Sequence, residues 1–441
     1  MSRVLLIGTA ALALAAATAA TAATADPPAT ARARQAPTAP GGNAREPAAT
    51  RPVLTLQDAL ALASGDQPSV AAFQSDAVAS QQAAVAAKSL PDPRFSLGVR
   101  DFPVEGKRAL SLTKDDFTMY MLGVMREQVR RSKREAAAAQ LKAEAVVSRE
   151  SATAQQLHIR RDATVAWLNA VEAVSKQGLL LRIIGDLKTG QKIMEAGVPT
   201  GASTPALALE AQAEVALAET QLADAKGAEA RARAELARWI GAAAEHPLPD
   251  TIPNLATPAM AMNDHMLNHP HLRMAIAEAT AAERQVDVAT ANRQPDVTWS
   301  VSYGFRPRFG DMVSAEISIP FPINRRNLQD RKVAEAQARA SAAAFRAEDV
   351  RRELEGQYAA ALADYRGADA QLDSLAKGAI PSLEAAFKAA EARYSGGQGT
   401  LELPLNIVRR YVETNIQMVE QQGKRARAAA EINYLMGDEQ R

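Results

Sequence analysis

Pro295-Asp296-Val297-Thr298-Trp299-Ser300-Val301-Ser302-Tyr303-Gly304-Phe305 is an unbroken alternation. Val297, Trp299, Val301, Tyr303 and Phe305 fall on one side of an extended chain, and Asp296, Thr298, Ser300, Ser302 and Gly304 fall on the other. Only one face of this strand is apolar. After a short link through Arg306, Pro307 and Gly310, the pattern returns: Val313, Ala315, Ile317, Ile319 and Phe321 alternate with Ser314, Glu316 and Ser318. The spacing predicts a hairpin with strands at about 295–305 and 312–321.

The same plan stands about two hundred residues earlier. Phe95, Leu97 and Val99 oppose Arg94, Ser96 and Arg100; after a polar loop with Glu105, Lys107, Arg108 and Lys114, Phe117, Met119 and Met121 oppose Thr118 and Tyr120. These strands are predicted at about 93–101 and 116–125. A proline opens a helical stretch before each pair, at Pro68 and Pro270, and a second one, at Pro93 and Pro295, closes it 25 residues later in both halves. A repeat of this length is a duplicated half-domain rather than a short solenoid unit.

Outward from the strands the chain is helical. From about Arg126 to Ala196 no proline occurs and only Gly178, Gly185 and Gly190 interrupt, which predicts a helix of about 105 Å. Gly197-Val198-Pro199-Thr200-Gly201 breaks it, and a return helix runs from about Pro205 to Ile240. The second half repeats this, with a long helix from about Arg326 to Tyr394, a turn at Ser395-Gly396-Gly397-Gln398-Gly399 and a return from about Leu401 to Met436. The first repeat is expected at 53–241, the Pro-rich connection at 242–258 and the second repeat at 259–437. The helices expected at 68–90 and 205–240 together hold about 59 residues, about 90 Å, so that placed end to end they could flank the long one, and the second half repeats this.

Composition agrees with long packed helices: alanine dominates and only 4% of the chain is aromatic. The formal net charge is +1, so no nucleic-acid footprint is indicated. Arg3, the apolar run Val4 to Ala17 and Ala23-Thr24-Ala25 predict a secretory signal peptide at 1–25, and 26–51, rich in Pro, Ala, Thr and Arg, is expected to be a disordered lead-in. No later stretch is apolar for the 18 or more residues that a spanning helix needs. Cysteine is absent, which leaves no thiol for a disulfide or for N-terminal acylation.

Four one-sided strands behind a signal peptide fit an outer-membrane β-barrel. Such a barrel must close, because an open edge leaves backbone groups unpaired in hydrocarbon. Four strands are too few, so several chains must share one barrel; two copies would supply eight strands and three would supply twelve. The alternative is that soluble hairpins decorate a periplasmic coiled-coil adaptor or scaffold protein. Adaptors, however, usually carry one helical hairpin flanked by soluble β domains.

With these features in hand, residues 53 to 437 resemble the outer-membrane efflux proteins typified by TolC. The resemblance rests on the duplicated order of short helix, two strands, long helix and return helix. Local matches are Ile317-Ser318-Ile319-Pro320-Phe321-Pro322 leading into Asn324-Arg325-Arg326-Asn327, and Ala392-Arg393-Tyr394-Ser395-Gly396-Gly397. The first is most similar to the heavy-metal-exporting branch related to CzcC and CusC. The resemblance implies a mainly α protein with a small β part. Duplicated long antiparallel helical hairpins would form an α-barrel, and each chain of a homotrimer would give four strands to a shared 12-stranded outer-membrane β-barrel. It also implies a passive duct, served by an inner-membrane efflux pump through a periplasmic adaptor (membrane fusion) protein, with heavy-metal cations as one class of cargo.

On this reading Phe95, Leu97, Val99, Val297, Trp299, Val301, Tyr303, Val313, Ile317 and Ile319 face lipid, and Thr298, Ser300, Ser302, Ser314, Glu316 and Ser318 face a watery lumen. Gly197, Gly201, Gly396 and Gly397 mark the periplasmic tip, which is also a simple helix reversal. TolC-like proteins often narrow the tunnel with acidic rings six and nine residues beyond the second turn. Here those places hold Leu403 and Asn406, leaving Glu402 as the gate candidate. Arg130, Arg131, Lys133 and Arg134, like Arg325, Arg326, Arg331 and Lys332, follow the hairpins at the level of lipid headgroups, or form a solvated helix face.

Other signals carry less. Met260, Met262, His265, Met266, His269, His271 and Met274 group soft-metal ligand types, but His269 and Pro270 also occupy a helix start, and methionine in a helix is more often packing. Ser111-Leu112-Thr113-Lys114 matches an S-x-x-K pattern in a loop, without its companion motifs. No H-E-x-x-H spacing, P-loop or glycine-rich nucleotide turn occurs, so no catalytic residue and no cofactor are indicated.

Overall fold

The computed structural model describes residues 52–65, 67–113, 115–201, 203–257, 268–307, 309–395 and 402–437, with the side chains of 394, 395 and 402–405 left aside. The signal-peptide and lead-in expectations lie outside the described residues.

The first repeat comprises α1 (Leu56–Ala63), α2 (Pro68–Ala87), β1 (Arg94–Arg100), β2 (Met119–Gln128), α3 (Arg131–Gly197) and α4 (Pro205–Ile240), followed by a 3₁₀ turn at Gly241–Glu245. The second comprises α5 (Pro270–Ala291), β3 (Val297–Phe305), β4 (Met312–Ser318), α6 (Gln329–Ser374), a π turn at Leu375–Ala379, α7 (Ile380–Ser395) and α8 (Glu402–Leu435). The second strand starts three residues later than the alternation predicts, because Asp115 holds Phe117 N–H and Thr118 N–H at 2.9 and 3.1 Å in a turn. The fourth ends at Ser318, just before Pro320, which cannot donate to a ladder.

Local chemistry explains the helix starts. Thr55 and Asp58 form a reciprocal capping box on α1, Thr204 caps α4 ahead of Pro205, and Pro68 and Pro270 sit where a missing N–H costs nothing. With 67 residues, α3 is about 100 Å long. Helix α2 packs on its strand-proximal half and α4 on the rest, so the two short helices share the flank of one long helix. In the second repeat, α5 and α8 pack on α6.

Buried alanines recur every seven residues: Ala77 and Ala84 on α2; Ala138, Ala145 and Ala152 on α3; Ala211, Ala218, Ala225 and Ala232 on α4; Ala336 and Ala343, then Ala361 and Ala368, on α6. A seven-residue repeat keeps one seam facing its neighbour and winds the helices around each other left-handedly. Larger side chains gather where the repeats meet. There Trp167, Leu168, Val171 and Leu236 pack with Ala426 and Ala430, and Trp167 Nε1 donates to Leu54 O at 3.1 Å. Leu248, Ile252 and Leu255 of the inter-repeat connection lie against that cluster.

Candidate channel-forming sheet and helical tip

The four strands form one antiparallel sheet in the order β1-β2-β3-β4. Sequence distance does not prevent β2 and β3 from pairing over nine residues, from Tyr120 with Phe305 to Gln128 with Val297. Because β1 and β4 are the outer members, each leaves one edge of the sheet unpaired within the chain.

The register assigns the faces. Leu97, Leu122, Tyr303 and Val313 stand in one row across the sheet, Phe95, Val124, Val301 and Ala315 in the next, and Arg126, Trp299 and Ile317 in the next. This face is apolar and open: Leu97 is 86% exposed, Phe95 75%, Ile317 71% and Val313 70%. Contiguous apolar area of this kind is not left in water without a partner phase. Trp299, beside Arg126, lies at the helix end of the face, while Tyr120 and Phe305, with ring centroids 6.4 Å apart, lie at the far end. Aromatic residues thus stand at both ends of the apolar band, an arrangement shared with the interfacial girdles of transmembrane barrels.

One sequence assignment needs correcting. Met119 and Met121 do not share the apolar face; their partners are Arg100 and Gly98 on β1 and, for Met121, Gly304 on β3. The apolar face of β2 is carried by Tyr120, Leu122 and Val124, and Phe117 lies before the strand. In β2 hydrophobic residues occupy both faces, so alternation alone had no phase there; only the partners set it. The opposite face carries Arg94, Ser96, Gly98, Thr298, Ser300, Ser302, Ser314, Glu316 and Ser318. Gly123 lies in this face against Ser96 and Ser302, where an added Cβ would come within 2.7 Å of the Ser96 hydroxyl.

Val297, the first residue of β3, pairs with Gln128, and Ile319, 57% exposed, continues beyond β4. The first basic cluster is largely engaged below the sheet. Asp296 accepts from Lys133 Nζ at 2.6 Å and from Arg130 N–H at 2.9 Å, while Arg130 Nε donates to Pro295 O at 2.8 Å. These contacts tie the start of α3 to the start of β3, across the two repeats. Arg131 pairs with Glu135 at 2.7 Å, Arg134 donates to Lys88 O, and Arg325 pairs with Asp330 at 3.7 Å. No sequence pattern marked Asp296 for this role, since its partners lie more than 160 residues away.

At the other end, Gly197 closes α3 and accepts from Ser203 N–H at 3.2 Å, while Gly201 adopts φ 73°, a conformation glycine takes without a Cβ clash. Gly396 and Gly397 lie outside the described residues; Glu402 is the first residue of α8. Ion pairs join the hairpins along their length: Lys176 with Glu420 at 2.8 Å, Arg409 with Glu214 at 3.5 Å, and Arg427 with Glu172.

His269 is fully buried. Its Nδ1 accepts from His271 N–H at 3.3 Å and its Nε2 lies 3.2 Å from Tyr434 O, so both ring nitrogens have partners. Burial, aided by the neighbouring His271, lowers its pKa to about 4. The neutral ring is therefore a structural plug between α5 and the end of α8. His265 and Met266 lie outside the described residues. Among the described residues no group of three or more His, Cys, Asp or Glu side chains is placed to hold a metal.

Residues 262–438 match the outer membrane efflux protein family. No curated protein matches the chain. Among solved structures it is similar to CusC, whose crystal structures concern folding and transmembrane channel formation, at 15% identity and a TM-score of 0.74, covering 88% of this chain and 93% of that one. The outer membrane protein VceC of Vibrio cholerae is 18% identical with a TM-score of 0.71, covering 87% and 96% of the respective chains. The open-state outer membrane channel MtrE of Neisseria gonorrhoeae is 19% identical with a TM-score of 0.67, covering 87% and 88%. The family match covers the second repeat, and the one-sided sheet and long helical hairpins give the described chain the fold of these outer-membrane channels.

Proposed function

We propose that this chain is the outer-membrane channel component of a tripartite efflux system, a passive exit duct for substrate delivered by an inner-membrane pump through a periplasmic adaptor. The observation that carries this reading is the four-stranded sheet with one open apolar face and two unpaired edges. Its outer edges require pairing in a lipid phase, and three copies joined β4 to β1 give twelve strands with no edge left. Long helical hairpins extending from the sheet supply the periplasmic passage, and the Gly197 to Gly201 turn with its counterpart in the second repeat forms the end that an adaptor engages. No helix among the described residues is long and apolar enough to cross a membrane, so the sheet is the membrane element of this reading. Binding and export need no catalytic group on this chain; the pump supplies the energy.

Heavy-metal cations are the cargo class favoured by the Ile317 to Asn327 run. Cell fractionation followed by mass measurement of the unboiled, detergent-extracted protein tests the proposal. Outer-membrane protein with the mass of three chains is the expected result. A soluble periplasmic monomer would refute it and restore the coiled-coil adaptor reading.

A further inference from the structure

The polar face of the sheet contains one patch that does not fit a simple water-lined wall. Met121 stands in a row between Gly98 and Gly304, and Met312 stands beyond Gly304 in the same row. Met119 is two residues along the same face of β2. The point that a Cβ on Gly304 would occupy is 3.0 Å from Met121 Sδ and 3.4 Å from Met119 Sδ, so two thioethers converge over one glycine. On the other side of Met121, a Cβ on Gly98 would have nothing within 4 Å, leaving open space beside the side chain. The neighbouring rows on this face are Ser96, Gly123, Ser302 and Ser314 on one side and Arg100 with Met119 on the other. Apolar filling stabilises little on such a wall, because the side chains stay beside water.

We propose that Met119, Met121 and Met312 form a thioether site for a soft monovalent cation, Cu(I) or Ag(I), on the inner wall of the strand barrel. Thioether sulfur selects soft cations over the hard ions of the surrounding solution. The side chains are long and unbranched, with three rotatable bonds each, so Met312 can swing across Gly304 to complete a three-sulfur set. Neutral thioethers carry no proton to lose, so binding here does not require the deprotonation that imidazole, thiol or carboxylate ligands need. Uncharged ligands on an open wall, with Arg100 paired to Met119 on the same face, hold a cation weakly enough to release it, as a passage requires. The inference rests on the channel reading for its location in a lumen, but the sulfur cluster itself is a property of the folded sheet.

The test is equilibrium dialysis of the detergent-solubilised full chain against silver nitrate in chloride-free buffer. The wild type is compared with the triple variant Met119→Leu, Met121→Leu, Met312→Leu, which nearly conserves volume, and with Met125→Leu on the same face but outside the cluster. The wild type and Met125→Leu should each bind about one more silver ion per chain than the triple variant, equally at pH 7 and pH 5. Gly304→Ala, which places a methyl group between the two sulfurs and removes no ligand, should weaken that binding. Equal silver on wild type and triple variant overturns the site, as does a difference that disappears at pH 5. The mass of the same preparation gives its copy number separately: a three-chain complex without silver on the cluster sinks the site and leaves the channel, whereas a monomer that binds silver there sinks only the lumen position.

Discussion

At the residue scale the two faces of the sheet make opposite demands. Leu122 lies centrally in the apolar face, between Leu97 and Tyr303. Leu122→Arg should destabilise the membrane-inserted protein by about 2 to 4 kcal/mol, while Ser302→Arg, on the opposite wall, should cost much less. Urea unfolding of the assembled protein in lipid vesicles measures both. His269 makes a pH prediction. Its folded pKa of about 4 lies below the ordinary histidine value, so the unfolded chain binds more protons between about 4 and 6.5. Stability from this residue is therefore complete above pH 6.5 and is lost as pH falls toward 4, with a ceiling of about 3 kcal/mol. His271 is shifted the same way by burial and adds to the trend. Denaturation midpoints across this range should fall with pH in the wild type and fall less in His269→Gln.

Elements are held together by small residues and by a few long-range ties. Ala218 and Ala225 of α4 lie in a heptad seam at 4% and 3% exposure. Enlarging either to leucine should cost about 1 to 3 kcal/mol, read as a lower unfolding midpoint, whereas leucine at an exposed α4 position such as Ala216 should change little. Where α3 begins, Lys133 and Asp296 are mostly shielded, at 14% and 16% side-chain exposure. A double-mutant cycle with Lys133→Ala and Asp296→Ala should return a coupling of about 0.5 to 3 kcal/mol, larger than that of the exposed Arg131–Glu135 pair. The tie joins the strand-to-helix passage of the first repeat to the helix-to-strand passage of the second.

For the whole molecule, the decisive feature is that its sheet is incomplete within one chain. The absence of native cysteine makes this easy to probe. Ser96→Cys on β1, combined with single cysteines scanned along β4, should produce crosslinked species up to three chains under mild oxidation, at one β4 position and its near neighbours. Crosslinks ending at two chains would replace the twelve-stranded closure by an eight-stranded one. In the proposed trimer the same edge argument makes stability and assembly inseparable, since each copy would remove the unpaired edge of the next.

Much of this was legible in the residues. The alternation in 297–305 needed no partner to reveal a half-apolar strand, because side chains on an extended backbone alternate whatever lies beside them. Proline and glycine punctuation placed α2, α4 and α5 because those residues act through their own backbone geometry. The family match over 262–438 covers the repeat whose strands had the clearest period. In contrast, β2 was read with its faces reversed, since Met119, Tyr120, Met121, Leu122 and Val124 put hydrophobic side chains on both sides of the strand. Only pairing with β1 and β3 decides which of them point together. The Asp296 tie, the plugged His269 and the sulfur pair over Gly304 likewise join residues distant in sequence, so each depends on a contact that local propensity does not encode. The sequence by itself determined the periods, the breaks and the duplication, which are local consequences of backbone geometry; the tertiary structure decided faces, partners and edges, because those exist only once separated segments share a surface.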